Sequence, residues 1–263
     1  MITSSQNPLV KQIRKLHRSK GRREQNLLLL EGTHLLETAW QGDCSFQTVC
    51  YTPQWQERYS QLLERVIPRS QRIECVSPEV LQQLATTVNP DGVIATIERD
   101  FQTISRSNSL QLGLILERIQ DPGNLGTIIR SAVATQVDQL WLSEDSVELD
   151  NPKVLRSSAG AWFHLSKQSH PDLGQLIKNY QAQGIQVIAT RLDAAKTFWE
   201  IDFIQPSLIL LGNEGAGLSP ELSELADESV TIPLAPGVES LNVAIAAALL
   251  LYEAQRQKQT QTR

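Results

Sequence analysis

The sequence is poor in residues and motifs that several large classes of protein require. It has three cysteines in 263 residues, Cys44, Cys50 and Cys75, and no C-x-x-C spacing. An odd number without that spacing argues against a disulfide framework or a zinc site and favours a reducing compartment. No apolar run approaches membrane-span length, and the N-terminal M-I-T-S-S-Q-N-P lacks the apolar core of a signal peptide. We therefore expect a cytoplasmic protein with no membrane partner and no bound metal.

The common nucleotide-binding and hydrolytic motifs are absent as well. No G-x-G-x-x-G follows a candidate strand, which leaves an ordinary dinucleotide fold poorly supported. The lack of G-x-x-x-x-G-K-[ST] and H-E-x-x-H argues against ATP or GTP hydrolysis and against a zinc protease. None of the four histidines stands beside serine or cysteine in a nucleophile motif. Hydrolytic chemistry has little support in this sequence.

The formal net charge of −5 by itself argues against binding to nucleic acid. The charge is unevenly distributed, however, because the first 25 residues contain seven cations and a single acidic residue, Glu24. These cations are Lys11, Arg14, Lys15, Arg18, Lys20, Arg22 and Arg23. Local basic stripes, rather than the charge of the whole chain, govern affinity for phosphates. Taken alone, the run is typical of a solvated helix face; it becomes a candidate RNA-binding surface if the rest of the chain indicates RNA.

The first hundred residues predict a small α/β domain. Asn7 and Pro8 have the character of an N-cap and a first helical residue, and Ser77-Pro78-Glu79 opens a second helix, from Val80 to Ala85, in the same way. A further helix follows the turn in E-G-T-H-L-L-E-T-A-W. Apolar runs predict strands at Leu27–Leu30, Val49–Thr52, Ile73–Val76 and Val93–Ile97. We assign residues 1–100 to this domain, and the polar, aperiodic residues 101–110 to a linker.

Residues 111–263 predict a second α/β domain with a mostly parallel sheet. Short apolar runs bounded by turns predict strands at Leu112–Glu117, Leu140–Leu142, Phe163–Leu165, Val187–Ala189, Leu208–Leu211 and Val230–Ile232. Helical patterns alternate with them at 127–134, Pro152–Ser158, Asp172–Gln183 and Leu241–Tyr252. This alternation predicts helical crossovers between parallel strands. The polar residues 255–263 are expected to fray.

Polar side chains gather in the turns that follow these strands. They are Asn124 and Arg130 after the first strand of the second domain, Asn213 and Glu214 after Leu208–Leu211, and Ser240 and Asn242 after Val230–Ile232. Because ligands bind at the carboxyl ends of parallel strands, we expect these turns to line one crevice. Arginine supplies a planar fork for phosphate or sugar oxygens, and asparagine supplies both a donor and an acceptor. Individually, Arg130 is equally typical of a surface helix and Asn124 of a helix cap.

Three sequence blocks in this half, D-P-G-N-L-G-T-I-I-R-S-A, L-L-G-N-E-G-A-G-L and I-P-L-A-P-G-V-E-S-L-N-V-A, occur in order. They resemble the three signature motifs of the SpoU (TrmH) family of RNA 2′-O-ribose methyltransferases, in the SPOUT superfamily. N-P-L-V-K-Q-I-R-K-L and L-L-L-L-E-G-T-H-L-L-E in the first hundred residues resemble the RNA-binding domain common in that family. The resemblance covers most of the chain. Pro236-Gly237-Val238 differs from many relatives, which affects the shape of that loop more than its role.

The resemblance implies a C-terminal domain with a deep trefoil knot, S-adenosylmethionine as cofactor, and a homodimer. It assigns cofactor binding to the motif positions Gly212, Ile232 and Leu241, and we add Asn213, Ala189 and Thr190 as further expected contacts. It assigns catalysis and substrate positioning to Asn124, Arg130, Glu214, Ser240 and Asn242. Whether Arg130 accepts the proton of the 2′-hydroxyl or only orients that oxygen is left open, because arginine stays protonated in proteins.

The implied substrate is RNA rather than DNA, since only RNA carries the 2′-hydroxyl. The added N-terminal domain favours ribosomal RNA of the large subunit over transfer RNA. A tRNA ribose methyltransferase, a tRNA base methyltransferase of the same fold, and a non-catalytic RNA-binding protein are the alternatives. On the ribosomal RNA hypothesis, the seven N-terminal cations contact phosphates.

Overall fold

The structure is a computed structural model that describes residues 1–99 and 109–261. The described residues divide into two compact units, one made of 1–99 with Asp150–Phe163 and the other of 109–149 with 164–261. Most of the predicted linker, 101–110, lies outside the described residues. The units differ from the predicted domains in one segment, because Asp150–Phe163 packs with the N-terminal residues.

The α-helices are α1 Pro8–Arg14, α2 Ser19–Gln25, α3 Thr33–Gln41, α4 Pro53–Arg58, α5 Ser60–Val66, α6 Pro78–Leu84, α7 Pro122–Ala134, α8 Pro152–Ser157, α9 Leu173–Gln181, α10 Pro220–Glu224 and α11 Val243–Gln261. The strands are β1 Leu27–Glu31, β2 Phe46–Tyr51, β3 Ile73–Cys75, β4 Val93–Glu98, β5 Leu112–Leu116, β6 Gln139–Ser143, β7 Ser166–His170, β8 Gln186–Thr190, β9 Lys196–Thr197, β10 Ser207–Leu211 and β11 Glu228–Thr231. Single 3₁₀ turns occur at Lys15–His17, Ile67–Arg69, Ala161–His164 and Phe198–Glu200. No helix in the described part of the chain is both long and apolar enough to cross a membrane.

The first unit is a sheet of order β1-β4-β2-β3 covered by helices. Strand β4 runs antiparallel to both β1 and β2, whereas β2 and β3 are parallel. The predicted caps are present: Asn7 Oδ1 accepts from Leu9 N at 2.9 Å, and Ser77 Oγ accepts from Val80 N at 3.3 Å. The basic N-terminal segment forms two short helices around a 3₁₀ turn. At the second helix, a Cβ on Gly21 would lie 2.0 Å from the Lys15 carbonyl oxygen.

Ion pairs fix Asp150–Phe163 within the first unit. The Asp150 carboxylate lies 3.2 Å from Arg22 Nη2 and 2.6 Å from Arg99 Nε, and the side chains of Asp150 and Arg22 are both buried. Arg156, on α8, donates to Glu31 Oε1 at 2.7 Å. These partners are separated by more than fifty residues along the chain, so local sequence patterns do not predict the pairing.

The second unit is a sheet of order β7-β6-β5-β10-β8-β11-β9. Every neighbouring pair in it is parallel, in agreement with the predicted parallel sheet. The central strand β10 is buried at every residue, as its unbroken apolar sequence predicts. Leu208 and Leu210 pack on one face with Leu176 and Ile177 of α9. Helix α11 packs along α7.

Several predicted elements have different bounds in the structure. The predicted strand Phe163–Leu165 is wrong, because Trp162 and Phe163 pack edge to face in a 3₁₀ turn and the strand follows as β7. Strand β7, S-K-Q-S-H, pairs on one side only, so it needs no apolar run. Strand β11 begins two residues before the predicted Val230–Ile232.

The ends of two helices also differ from the prediction. Helix α7 begins at Pro122, earlier than predicted, because Asp121 Oδ1 accepts from Asn124 N at 3.0 Å as its N-cap. Helix α11 begins at Val243 and continues to Gln261, so the C-terminal residues up to 261 do not fray. Gln257 holds this part of the helix by accepting from Phe203 N at 2.9 Å. Helices α4, α5 and α10 and the two-residue strand β9 were not predicted.

Candidate active site

Strands β5, β10, β8 and β11 end at one edge of the second sheet, and the loops that follow β8, β10 and β11 surround a cavity of about 290 Å³. Leu211, Leu218, Val230 and Val243 supply apolar surface to its wall. Seven of the residues predicted from the turns and from the family motifs line it: Thr190, Gly212, Asn213, Glu214, Ile232, Ser240 and Leu241. Parallel strands place their following loops together in this way.

The G-N-E-G-A-G turn after β10 is a tight hairpin that requires glycine at its first position, Gly212. Asn213 N donates to Gly217 O at 3.0 Å, and Gly217 N donates back to Asn213 O at 2.9 Å. Asn213 Oδ1 also accepts from the backbone N–H groups of Gly215 and Ala216 at 3.0 and 2.9 Å. A Cβ on Gly212 would lie 2.1 Å from backbone atoms of Gly217 and Leu218. Any side chain at Gly212 would therefore open the hairpin that forms one wall of the cavity.

The Glu214 carboxylate collects hydrogen bonds from the loop that follows β5. It accepts from Gln120 N at 3.3 Å, from Asp121 N at 3.2 Å and from Asn124 Nδ2 at 3.1 Å. It forms no ion pair with any residue that the structure describes. Partial burial raises the pKa of Glu214, but the hydrogen bonds from Asn124 and from backbone N–H groups outweigh burial and hold this pKa below its usual range. Glu214 is therefore a charged carboxylate whose hydrogen bonds come from neutral N–H donors.

Asn124 links this carboxylate to the third motif. Its side-chain oxygen accepts from Asn242 Nδ2 at 2.9 Å, and Asn242 Oδ1 accepts from Ala244 N at 2.9 Å, at the start of α11. One chain of hydrogen bonds thus joins Glu214, Asn124 and Asn242, one residue from each motif. Asn124 and Asn242 do not line the cavity itself.

Arg130 stands apart from this network. It lies six residues beyond Asn124 on α7, which places it about 9 Å further along the helix axis and about 120° around it. Its side chain is exposed and makes no hydrogen bond or ion pair with any described residue. The guanidinium is therefore available for a phosphate, a sugar oxygen or a second protein chain.

Two predicted contacts need correction. Ala189 is fully buried in the core cluster beneath the sheet and does not line the cavity, which begins at the next residue, Thr190. Arg22 is also buried and pairs with Asp150, so its guanidinium supports the first unit and is not presented to RNA. The remaining basic residues have exposed side chains: Lys11, Arg14, Lys15, Arg18, Lys20 and Arg23.

Other residues of the site were missed by sequence reasoning. Arg191, Leu192, Leu234 and Glu239 line the cavity. Arg118 occupies the left-handed region, with φ of 53°, and its carbonyl oxygen accepts from Asn213 Nδ2 at 2.8 Å. Arg191 and Leu192 could have been identified from the sequence, because they directly follow strand β8. No sequence signal indicates the left-handed conformation of Arg118.

Comparison with known proteins identifies the class of protein to which this site belongs. The model of the SpoU rRNA Methylase family matches residues 111–252, more than half of the chain. The model of the MRM3-like substrate binding domain matches residues 7–95. The chain therefore belongs to the SpoU rRNA methylase family.

Individual relatives match along almost the whole chain. An uncharacterized tRNA/rRNA methyltransferase, slr1673, of Synechocystis is 52% identical, over 98% of this chain and 94% of that protein. The 23S rRNA (guanosine(2553)-2′-O)-methyltransferase RlmP of Bacillus subtilis is 32% identical, over 95% of this chain and 97% of its own. Among solved structures, the SpoU methyltransferase AviRb of Streptomyces viridochromogenes, in complex with the cofactor AdoMet, superposes with a TM-score of 0.86 at 29% identity. That match covers 97% of this chain and 99% of AviRb.

Proposed function

We propose that this protein transfers a methyl group from S-adenosylmethionine to a ribose 2′-hydroxyl of large-subunit ribosomal RNA. It is an RNA methyltransferase that uses S-adenosylmethionine, by membership of its family. The observation that supports the site most strongly is the hydrogen-bonded chain Glu214–Asn124–Asn242 beside the cavity, since it joins all three motifs in one place.

The cavity suits the chemistry of S-adenosylmethionine. Its wall offers apolar side chains and the close backbone of the Gly212 hairpin to an adenosine group. Glu214 and Glu239 bring carboxylates to the same wall, and neither forms an ion pair with a residue in the described part of the chain. Such carboxylates complement the positive charges of the sulfonium and amino groups. When bound, the cofactor supplies a methyl group that is already activated for transfer.

The chain's own task is to place the 2′-oxygen in line with that methyl group. We assign to Glu214, Asn124 and Asn242 the positioning of the loops around the reacting atoms, and to Ser240 a contact at the cavity wall. Arg130 orients the 2′-oxygen and stabilises its developing negative charge, which a permanently protonated group can do. Gly212, Asn213, Thr190, Ile232 and Leu241 line the cofactor side of the cavity.

Arg130 makes no hydrogen bond to the Glu214–Asn124–Asn242 network of its own chain. This separation supports an active site to which a second copy of the chain contributes residues. Helix α11 carries Ile245, Leu249 and Tyr252 on one face at i, i+4 and i+7, and these side chains are exposed by 53%, 40% and 53%. Exposed Trp199 lies beside them. We propose that a second copy covers this apolar face in a homodimer, next to α7, the helix that bears Arg130. We also propose that the second unit contains the trefoil knot that is expected of the family.

The RNA substrate would be held by the first unit. Six exposed cations of α1, α2 and the residues between them form a basic surface for phosphates. The RlmP relative is named a 23S rRNA methyltransferase and matches along nearly the whole chain, which supports ribosomal RNA as the substrate. A tRNA remains the second candidate, because the name of the Synechocystis relative includes both RNA classes. We propose a cytoplasmic protein, since both substrates occur in that compartment.

Transfer of labelled methyl to unmodified ribosomal RNA and to tRNA, followed by alkaline digestion, tests the reaction. A 2′-O-methyl group blocks cleavage at its own linkage, so we expect label in alkali-resistant dinucleotides from ribosomal RNA. Label in mononucleotides would show base methylation and contradict the ribose assignment. Label confined to tRNA would overturn the choice of ribosomal RNA.

Replacement of Arg130 tests its role in the same assay. We expect Arg130→Ala to lower the rate of methyl transfer by about 100-fold or more, as for loss of a transition-state charge contact, with unchanged affinity for S-adenosylmethionine. Arg130→Lys keeps the charge and loses the fork; full activity in this variant would exclude an essential guanidinium. Leu249→Asp, on the exposed face of α11, should yield monomers by light scattering.

A further inference from the structure

The first unit contains a second cavity, of about 380 Å³, that the proposed reaction does not use. It lies at the sheet edge where β2 ends and β4 begins. Trp55 and Arg58 of α4 and Leu81 and Gln82 of α6 line it, together with the loop from Val88 to Gly92. Its volume is within the range of about 300–1,000 Å³ that is usual for small-molecule and cofactor sites.

The loop that walls this cavity lacks regular structure, yet two carboxylates hold it in place. Glu31 accepts from Thr86 N and Thr87 N at 3.0 and 3.3 Å, and Asp91 Oδ2 accepts from Thr33 N at 2.8 Å. Thr52 N also donates to Gly92 O at 2.9 Å. These contacts fix the wall before any ligand binds.

Gly92 brings the loop against the tryptophan that lines the cavity. It has φ of +112°, and a Cβ at this position would lie 2.8 Å from Trp55 Cβ. The indole Nε1 of Trp55 donates to Thr33 Oγ1 at 2.7 Å, which fixes the ring. The cavity therefore has a rigid wall, behind which the Trp55 side chain is buried.

The rim carries polar groups that the protein leaves available. Gln54, Arg58 and Asn89 are exposed and make no hydrogen bond or ion pair with another residue of the described ranges 1–99 and 109–261. Gln82 donates to Val88 O at 3.4 Å, which leaves its side-chain oxygen as an acceptor. Val88 exposes 80% of its surface at the tip of the loop. The apolar side chains of Val88 and Pro90, edged by these amides, match a nucleobase, which has an apolar face and an edge of donors and acceptors.

The basic surface lies on the neighbouring helix. Leu9 and Ile13 of α1 pack with Val80 and Leu84 of α6, the helix that supplies Gln82 to the cavity. The exposed Lys11, Arg14 and Lys15 therefore lie next to the cavity's own helix. An RNA strand whose phosphates contact α1 has its bases within reach of the adjacent element.

We propose that this cavity holds an unstacked nucleobase of the RNA substrate. The amides of Gln82 and Asn89 read its edge, and the cations of α1 hold the adjoining phosphates. The inference rests on the proposed RNA methyltransferase function, and it locates where that RNA is recognised. Sequence-specific recognition of RNA mostly uses unstacked bases of this kind, since the grooves of an RNA duplex carry little readable sequence.

Binding of unmodified large-subunit ribosomal RNA, transcribed in vitro, to the full-length protein tests the proposal. We expect the double variant Gln82→Ala/Asn89→Ala to raise the Kd by about tenfold, as for the loss of two hydrogen bonds. The matched control is Gln71→Ala/Gln83→Ala, because these exposed glutamines belong to the same unit and do not line the cavity. The control should stay within about twofold of the wild type. Equal Kd values for the two double variants would overturn the proposal.

Cross-linking identifies the occupant directly. With the same RNA transcribed with 4-thiouridine or 6-thioguanosine, we expect cross-links to peptides that contain Gln54–Arg58 or Val88–Gly92. Cross-links confined to other residues would overturn the proposal.

Methyl-transfer kinetics separate this inference from the proposed function. An unchanged KM for RNA in the Gln82→Ala/Asn89→Ala variant would refute the nucleobase site while the methyltransferase function stood. Conversely, a wild-type protein that cross-links through the cavity and transfers no methyl would refute the function and support the site. A raised KM for RNA with unchanged kcat supports both.

Discussion

A carboxylate at the edge of the sheet holds loop backbone in each unit, Glu31 in the first and Glu214 in the second, and the surroundings of the two differ. Glu31, in the first unit, accepts from Thr86 and Thr87 and forms an ion pair with Arg156. The side chain of Glu31 is only 4% exposed. Glu214, in the second unit, accepts from Gln120, Asp121 and Asn124, lines a cavity and forms no ion pair with any described residue.

The difference separates a structural carboxylate from one suited to a ligand. A buried carboxylate paired with an arginine has no remaining charge to offer. A carboxylate satisfied by dipoles keeps its negative charge, and the low pKa of Glu214 maintains that charge. We therefore expect substitution of Glu31 to act on stability alone, and substitution of Glu214 to act on both stability and cofactor affinity.

The largest effect on stability is expected from Glu31→Gln. This change leaves Arg156 without its carboxylate and places an amide group against backbone N–H donors, which costs about 3 kcal/mol. Urea unfolding measures the loss. Exposed Glu64 provides the control, and Glu64→Gln should change stability by less than about 0.5 kcal/mol. A loss for Glu31→Gln no larger than that of the control would contradict the structural role.

Glu214→Gln should cost less stability, about 2 kcal/mol, as expected for hydrogen bonds to a charged acceptor. It should also weaken binding of S-adenosylmethionine by about tenfold, measured by calorimetry, because it removes a negative charge from the cavity wall. Exposed Glu144 is the control, and Glu144→Gln should leave both quantities unchanged. If the cofactor affinity survives in Glu214→Gln, the carboxylate is only a loop anchor like Glu31.

Asn242→Ala is expected to cost about 1 kcal/mol, because it removes the hydrogen bond to Asn124 and the acceptor for Ala244 N at the start of α11. Asn242→Ser restores a capping oxygen without the amide. The serine variant should recover stability but not methyl transfer. Recovery of both would mean that the link to Asn124 has no part in the reaction.

The smallest effect is a pH dependence that belongs to Glu214. Its pKa is lower in the folded protein than in the unfolded chain, so the carboxylate stabilises the fold above its ordinary pKa of about 4.3. This contribution is lost as the pH falls through the folded-state pKa. The difference in stability between wild type and Glu214→Gln should therefore be constant from about pH 7 to 5 and shrink in more acid solution. A constant difference down to pH 3 would argue against the shift.

The parallel sheet was predictable because its central strands are buried on both faces. Leu208–Leu211 reads as an unbroken apolar run for that reason, and its position after a turn needs no knowledge of distant residues. Edge strands gave no such signal: β7 is polar and β9 has only two residues. The membership of α8 in the first unit depends on Arg156 meeting Glu31, a contact between residues 125 positions apart that local patterns do not contain.

The site was predictable to the extent that it depends on strand ends. Asn124, Glu214 and Asn242 follow strands that finish at one edge, and the structure joins them by hydrogen bonds. Ala189 is the residue before Thr190, the last residue of β8. Because alternate residues of a strand face opposite sides, Thr190 lines the cavity while Ala189 lies in the core. Arg22 carries the same charge as its neighbours, and only the fold distinguishes its buried position from their exposed ones.

The insertion of Asp150–Phe163 in the first unit affects how the chain folds during synthesis. Residues 1–99 leave the ribosome without the helix that pairs Arg156 with Glu31, and without Asp150, which neutralises buried Arg22. At about 5–20 residues per second, this segment follows several seconds later. During that interval the ion pairs of Arg22 with Asp150 and of Glu31 with Arg156 are not yet formed, so a nascent chain arrested near residue 110 should be sensitive to protease, and one arrested well beyond residue 163 should resist it.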